Sequence, residues 1–141
     1  MKNLLFLFVL LLPGWMMLEA QDVTNATKPK VEVYYFHATM RCPTCLAVEE
    51  QTRKTLDENF AGEMKAGTIQ LKVLNLEERE NKALTEKFEI GWSSLILYVP
   101  ESDKSVNLTE DAFANARTHA EEFRKELQEK ITGKDKRDEN C

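Results

Sequence analysis

The sequence predicts an α/β domain, a four-stranded mixed sheet with helices on both faces in the order β-α-β-α-β-β-α. Three observations carry that prediction. The β-branched and aromatic run Val31-Glu32-Val33-Tyr34-Tyr35-Phe36 leads through a short loop into apolar residues at helical spacing. The alternating run from Thr68 to Leu74 comes next, with a second helical pattern after it. Leu95-Ile96-Leu97-Tyr98-Val99 is continuously apolar, as in a strand covered on both faces. Two strands joined through a helix are parallel with a right-handed crossover. A hairpin pair is antiparallel, so the sheet is mixed.

Each element has its own warrant. Gln21 to Lys30 is polar and reads as a linker. His37 to Arg41 is a loop, and Pro43 suits a first helical turn, where its missing N–H costs nothing. Cys45, Val48, Thr52, Leu56 and Phe60 recur along one helical stripe within the stretch that runs to Phe60. Gly62 and Gly67 bracket a connection to the second strand. Glu77 to Phe88 is a charged helix with Leu76, Ala83, Leu84 and Phe88 as its apolar face. Pro100 to Asp103 is a turn, and Lys104 to Leu108 is an antiparallel edge strand. Thr109 caps a last helix, with Glu110 and Asp111 in its first turn. Its apolar face is Ala112, Phe113, Ala116, Ala120, Phe123, Leu127 and Ile131, and Gly133 ends it. The domain spans 31–133, and Lys134 to Cys141 is a charged tail.

Residues 1–20 read as a secretory signal peptide. Lys2 gives a positive start, Leu4 to Leu12 is almost wholly Leu, Phe and Val, and Leu18-Glu19-Ala20 resembles a cleavage site. The alternative is an uncleaved membrane anchor, for which the apolar stretch is short and broken by Pro13-Gly14. The expected compartment is therefore outside the cytoplasm, the periplasm first. The membrane is met only through this segment. The net charge of −5, with Lys and Arg interspersed among Glu, gives no reason to expect nucleic acid.

The chemistry concentrates at Cys42-Pro43-Thr44-Cys45. Two thiols at i and i+3, the first at a helix N-terminus, are what reversible disulfide formation needs. The helix dipole and free N–H groups favour a thiolate on Cys42, and Cys45 is one turn away. Pro43 and Thr44 set how many N–H donors face Cys42. Arg41 either adds positive charge beside the thiolate or is a solvated loop cation.

The order of elements, with C-x-x-C opening the first helix and Trp92-Ser93-Ser94-Leu95 before the third strand, resembles the thioredoxin fold across about Val31 to Ile131. The extra N-terminal strand and helix of that family are lacking. The resemblance implies Cys42 as nucleophile and Cys45 as resolving thiol, with Trp92, Ser93 and Ser94 as the opposite wall of the site. Trp92 is either a docking residue there or a packing residue at a strand entrance. Two departures matter. Ser94, or Ser93 with a gap of one, stands where the family carries a cis-proline, and serine has no such bias, since a cis bond there costs about 2.5–4 kcal/mol. The family's buried acid in the first strand is missing, with Tyr35, Phe36 and His37 in that region and Glu32 too far upstream. His37 is either a base turned toward the cysteines or a strand-end residue facing solvent.

More narrowly, the Trp-Ser-Ser-Leu run and the signal peptide resemble the exported bacterial nitrophenyl compound nitroreductase subunit family. That likeness implies an accessory or electron-delivering thiol subunit. No G-x-G-x-x-G fingerprint of a flavin or nicotinamide site is present, and no cofactor is expected. The expected function is exported thiol–disulfide exchange by a monomer, acting on a protein or small-molecule disulfide and reloaded by a redox partner protein. The alternative is a binding or accessory protein without turnover. In it the pair holds a soft metal or trivalent arsenic, completed by His37 or Cys141, or the two cysteines form a plain structural disulfide. Cys141 is otherwise a third redox partner, a dimer link or an idle thiol.

Overall fold

The computed structural model describes residues 28–133. The signal segment, most of the linker and the tail with Cys141 lie outside the described residues. The elements are β1 (Val31–His37), α1 (Pro43–Asn59), α2 (Ala61–Ala66), β2 (Ile69–Asn75), a 3₁₀ turn (Arg79–Asn81), α3 (Lys82–Lys87), β3 (Ser94–Val99), β4 (Lys104–Asn107), α4 (Thr109–Asn115) and α5 (Ala120–Thr132).

The strands form one sheet in the order β2-β1-β3-β4. β1 runs parallel to β2 and antiparallel to β3, and β4 closes the far edge antiparallel to β3. Register follows from the side-chain period of two. Tyr35 lies between Val73 and Leu95, and Phe36 between Leu74 and Ser94. Odd-numbered β1 residues Val33 and Tyr35 therefore face α1, α4 and α5, where they pack with Val48, Leu56, Leu95, Leu97, Phe123 and Leu127. Tyr34 and Phe36 face the other way and pack with Ile96, Tyr98, Leu84 and Phe88 around α3. Both faces are covered, which is why β3 reads as an apolar run from Leu95 to Val99 and β1 as one from Val33 to Phe36. The strand and helix order fits a thioredoxin-like arrangement.

Several boundaries differ from expectation for local reasons. The stripe from Cys45 to Phe60 is buried throughout, but α1 ends at Asn59. Phe60 leaves the helical region at φ −135° and begins α2, so the stretch expected as a connection around Gly62 is helical. Gly67 then ends α2 with φ +74°, a conformation glycine adopts without strain. The helix expected over Glu77 to Phe88 shortens to the 3₁₀ turn and α3. Leu76, Leu84 and Phe88 pack as anticipated, whereas Ala83 is exposed. The last helix is two helices. Thr118 Oγ1 donates to the Ala114 carbonyl at 3.3 Å and meets His119 Nδ1 at 3.0 Å, local bonds that compete with helix continuation. Thr109 is not a cap: Leu108 holds that position, and the Thr109 hydroxyl accepts from the Leu95 N–H at 3.0 Å. Gly133 ends α5 in the left-handed region, as its position predicts.

Candidate dithiol site

The site is built where β1 gives way to α1. Cys42 is the N-cap of α1, in extended conformation, and Pro43 occupies the first helical position, so the sulfur itself does the capping. The Cys45 N–H donates to Cys42 Sγ at 3.2 Å. The two Sγ atoms lie 2.7 Å apart as free thiols, one exposed and one buried. A disulfide needs about 2.05 Å, so closing it takes sub-ångström movement. The Cys42 thiol is lowered from its ordinary value of 9.0, first through the hydrogen bond from the Cys45 side chain. The N–H groups of Cys45 and Thr44 add to the effect. The second thiol thus does most here, and the N–H groups of the helix N-terminus contribute after it.

Arg41 directs its charge elsewhere. Its guanidinium pairs with Glu49, which Arg53 also holds at 2.8 Å, and stands 5.7 Å from the centre of the Tyr35 ring. Burial works against both charges, but the pairing wins: the Glu49 carboxyl is held below its ordinary range and Arg41 is raised. Tyr35, fully buried, donates from its hydroxyl to the Cys45 carbonyl at 2.7 Å. The region that holds an acid in the thioredoxin pattern holds a phenol. In the sequence Tyr35 stood in the region of the missing acid without an assigned role, and Glu49 was only one of the solvated helix charges, one turn beyond Cys45.

The opposite loop is tied to the cysteine loop through Ser93, whose Oγ accepts from the Ala38 N–H at 3.3 Å. Asn75 donates to Thr39 Oγ1 at 3.0 Å, fixing the same loop from β2. Ser94 is buried, and its hydroxyl donates to the Trp92 carbonyl at 2.9 Å. Its pairing with Phe36 puts it on the α3 side of the sheet, away from α1. No cis peptide bond occurs among the described residues. His37 bonds through Nδ1 to the Ala38 carbonyl at 3.0 Å, so its ring serves its own loop. Trp92 is 70% exposed, Met40 88% and Leu46 51%, three large apolar side chains on the segments that carry or adjoin the cysteines. Met40 and Leu46 went unnoticed in the sequence, although their place beside the C-x-x-C was the available signal.

Among the described residues no group of three or more His, Cys, Asp or Glu gathers to hold a metal ion, and no helix is long and apolar enough to cross a membrane. No family model and no curated protein matches the chain. The resemblance to the nitroreductase subunit family thus gains no support. A solved structure described as "Structure of a malarial protein" is similar to 60% of this chain, over 93% of its own length, at 22% identity and a TM-score of 0.39. That likeness is too slight to bear on fold or function.

Proposed function

We propose that the protein is an exported thiol–disulfide oxidoreductase, acting in the periplasm. The observation that carries the reading is an exposed Cys42 sulfur at a helix N-terminus, 2.7 Å from the buried Cys45 sulfur and bonded by the Cys45 N–H. In the forward direction the Cys42 thiolate attacks a substrate disulfide. One substrate sulfur leaves with the electron pair and takes up a proton, and a mixed disulfide forms. Cys45 then loses its proton and attacks Cys42 Sγ, releasing the second substrate thiol and leaving the Cys42–Cys45 disulfide. A redox partner protein restores the dithiol.

Pro43 and Thr44 set the donors around Cys42. Ser93 holds the facing loop in place, and Ser94 and Trp92 shape it. Met40 and Leu46, exposed beside the cysteines in the chain, offer apolar contacts to a polypeptide that carries the disulfide. Arg41 supports the site through Glu49 and Tyr35 rather than by direct charge on Cys42.

The test is redox titration of the mature protein in glutathione buffers, with insulin-disulfide reduction as the turnover assay. Reversible conversion between dithiol and disulfide, abolished in Cys42→Ser, is the expected outcome. A pair that never cycles, or one that retains stoichiometric metal or arsenic after purification, sinks the reading in favour of a binding protein.

A further inference from the structure

Resolution of the mixed disulfide requires a buried thiol to become a nucleophile. Cys45 is 7% exposed. The nearest carboxylate along its helix, Glu49, is held by Arg41 and Arg53. What lies against Cys45 is Tyr35, whose O–H is a rotor already bonded to the Cys45 carbonyl at 2.7 Å. Burial first, and the adjoining Cys45 thiol, hold the phenol's proton on well above neutral pH, while the Arg41 guanidinium at the same hydroxyl works the other way. Arg41 also keeps its Nε buried with no acceptor, a donor not yet spent.

We propose that Tyr35 is a positioning residue for the resolving thiol, backed by Arg41. Its O–H turns from the Cys45 carbonyl to the Cys45 sulfur as that sulfur acquires negative charge. The inference rests on the dithiol-exchange reading. In the step concerned, the Cys45 S–H gives up its proton and its sulfur bonds to Cys42 Sγ. The bond from Cys42 to the substrate sulfur breaks, the electron pair leaves on the substrate sulfur, and that sulfur takes the proton. Tyr35 neither gains nor loses a proton. It supplies a neutral donor to a thiolate in a low-dielectric site, where a hydrogen bond to charge is at its strongest. A buried carboxylate in its place would accept the proton but repel the thiolate.

The experiment uses the mature chain with Cys141→Ser and a dithiobis-nitrobenzoate probe, whose two thiolates are released in sequence, by Cys42 attack and by Cys45 resolution. Tyr35→Phe keeps the ring and removes the hydroxyl. The first release should stay within about twofold of the parent, and the second should slow roughly tenfold or more, the usual worth of a hydrogen bond to a charged group. Its pH profile should move to higher pH. Arg41→Gln should slow the same phase and Arg41→Lys should recover part of it. An unchanged second phase and pH profile in Tyr35→Phe overturns the proposal. If Tyr35→Phe fails to fold, the Arg41 pair decides: slowing in Gln with recovery in Lys supports it, and parental rates in both overturn it. A parent protein with no second release overturns dithiol exchange itself, which keeps the two failures apart.

Discussion

Cys42 and Glu49 are the two side chains whose protonation the fold alters in the most testable way. The Cys42 thiol is depressed, with the Cys45 side chain as first cause. A depressed folded value means that the thiolate's contribution to the reduced form is present above the unfolded pKa and lost as pH falls through the folded one. The rate of alkylation of Cys42 by iodoacetamide should therefore persist to lower pH in the folded protein than in the same chain in denaturant. Coincident profiles would refute the depressed Cys42 thiol. For Glu49, burial raises the carboxyl but the two arginines bring it below its ordinary 4.5. Its contribution to stability is present above that value and disappears on further acidification. Glu49→Gln should cost about 1.5–3 kcal/mol near neutrality, as for a partly buried charged hydrogen bond. It should also flatten the acid limb of the stability curve, measured by urea denaturation at several pH values.

Within α1, polarity and packing disagree at one position. Thr52 is fully buried on the inward stripe, and its hydroxyl has no hydrogen-bond partner. Thr55, one turn on, bonds its hydroxyl to the Gln51 carbonyl at 2.8 Å. An unpaired buried hydroxyl costs about 1–3 kcal/mol, and valine has nearly the same shape. Thr52→Val should therefore stabilise the protein, whereas Thr55→Val should not. Thermal unfolding of both variants measures this, and a lower midpoint in Thr52→Val would contradict it. β4 makes the opposite point. It is exposed along its whole length and begins with Lys104, a short charged edge that discourages pairing with another chain.

Across the fold, one packed layer joins the site to the rest of the protein. α1 lies on α5, and Leu56 is fully buried in the cluster that also contains Tyr35, Phe123 and Leu127. The residue that bonds Cys45 is thus part of the main core. Leu56→Ala, three turns from the cysteines, should destabilise by about 2–5 kcal/mol. Dithiol chemistry and secondary structure should be lost in the same transition, followed by Cys45 labelling and circular dichroism in parallel. Exposure of Cys45 well before the loss of secondary structure would mean that the site opens independently.

The strands, the inward stripe of α1 and the placing of both cysteines were legible in the chain, because side-chain periods of two and 3.6 and the i, i+3 spacing are local. The Gly133 stop was equally local. The helix break at Ala116–His119, the helical turn at Gly62 and the true cap before α4 were not, since short-range side-chain bonds and packing override propensity there. The site's electrostatics were the least legible. Arg41 reaches Glu49 eight residues on, Tyr35 reaches Cys45 ten residues on, and Ser93 reaches Ala38 across 55 residues. A sequence records which groups are available to pair. Which pairs form depends on strand register and on how the loops close over the sheet, and that folding turned an apparent thiolate-stabilising arginine into the partner of a glutamate and a buried phenol.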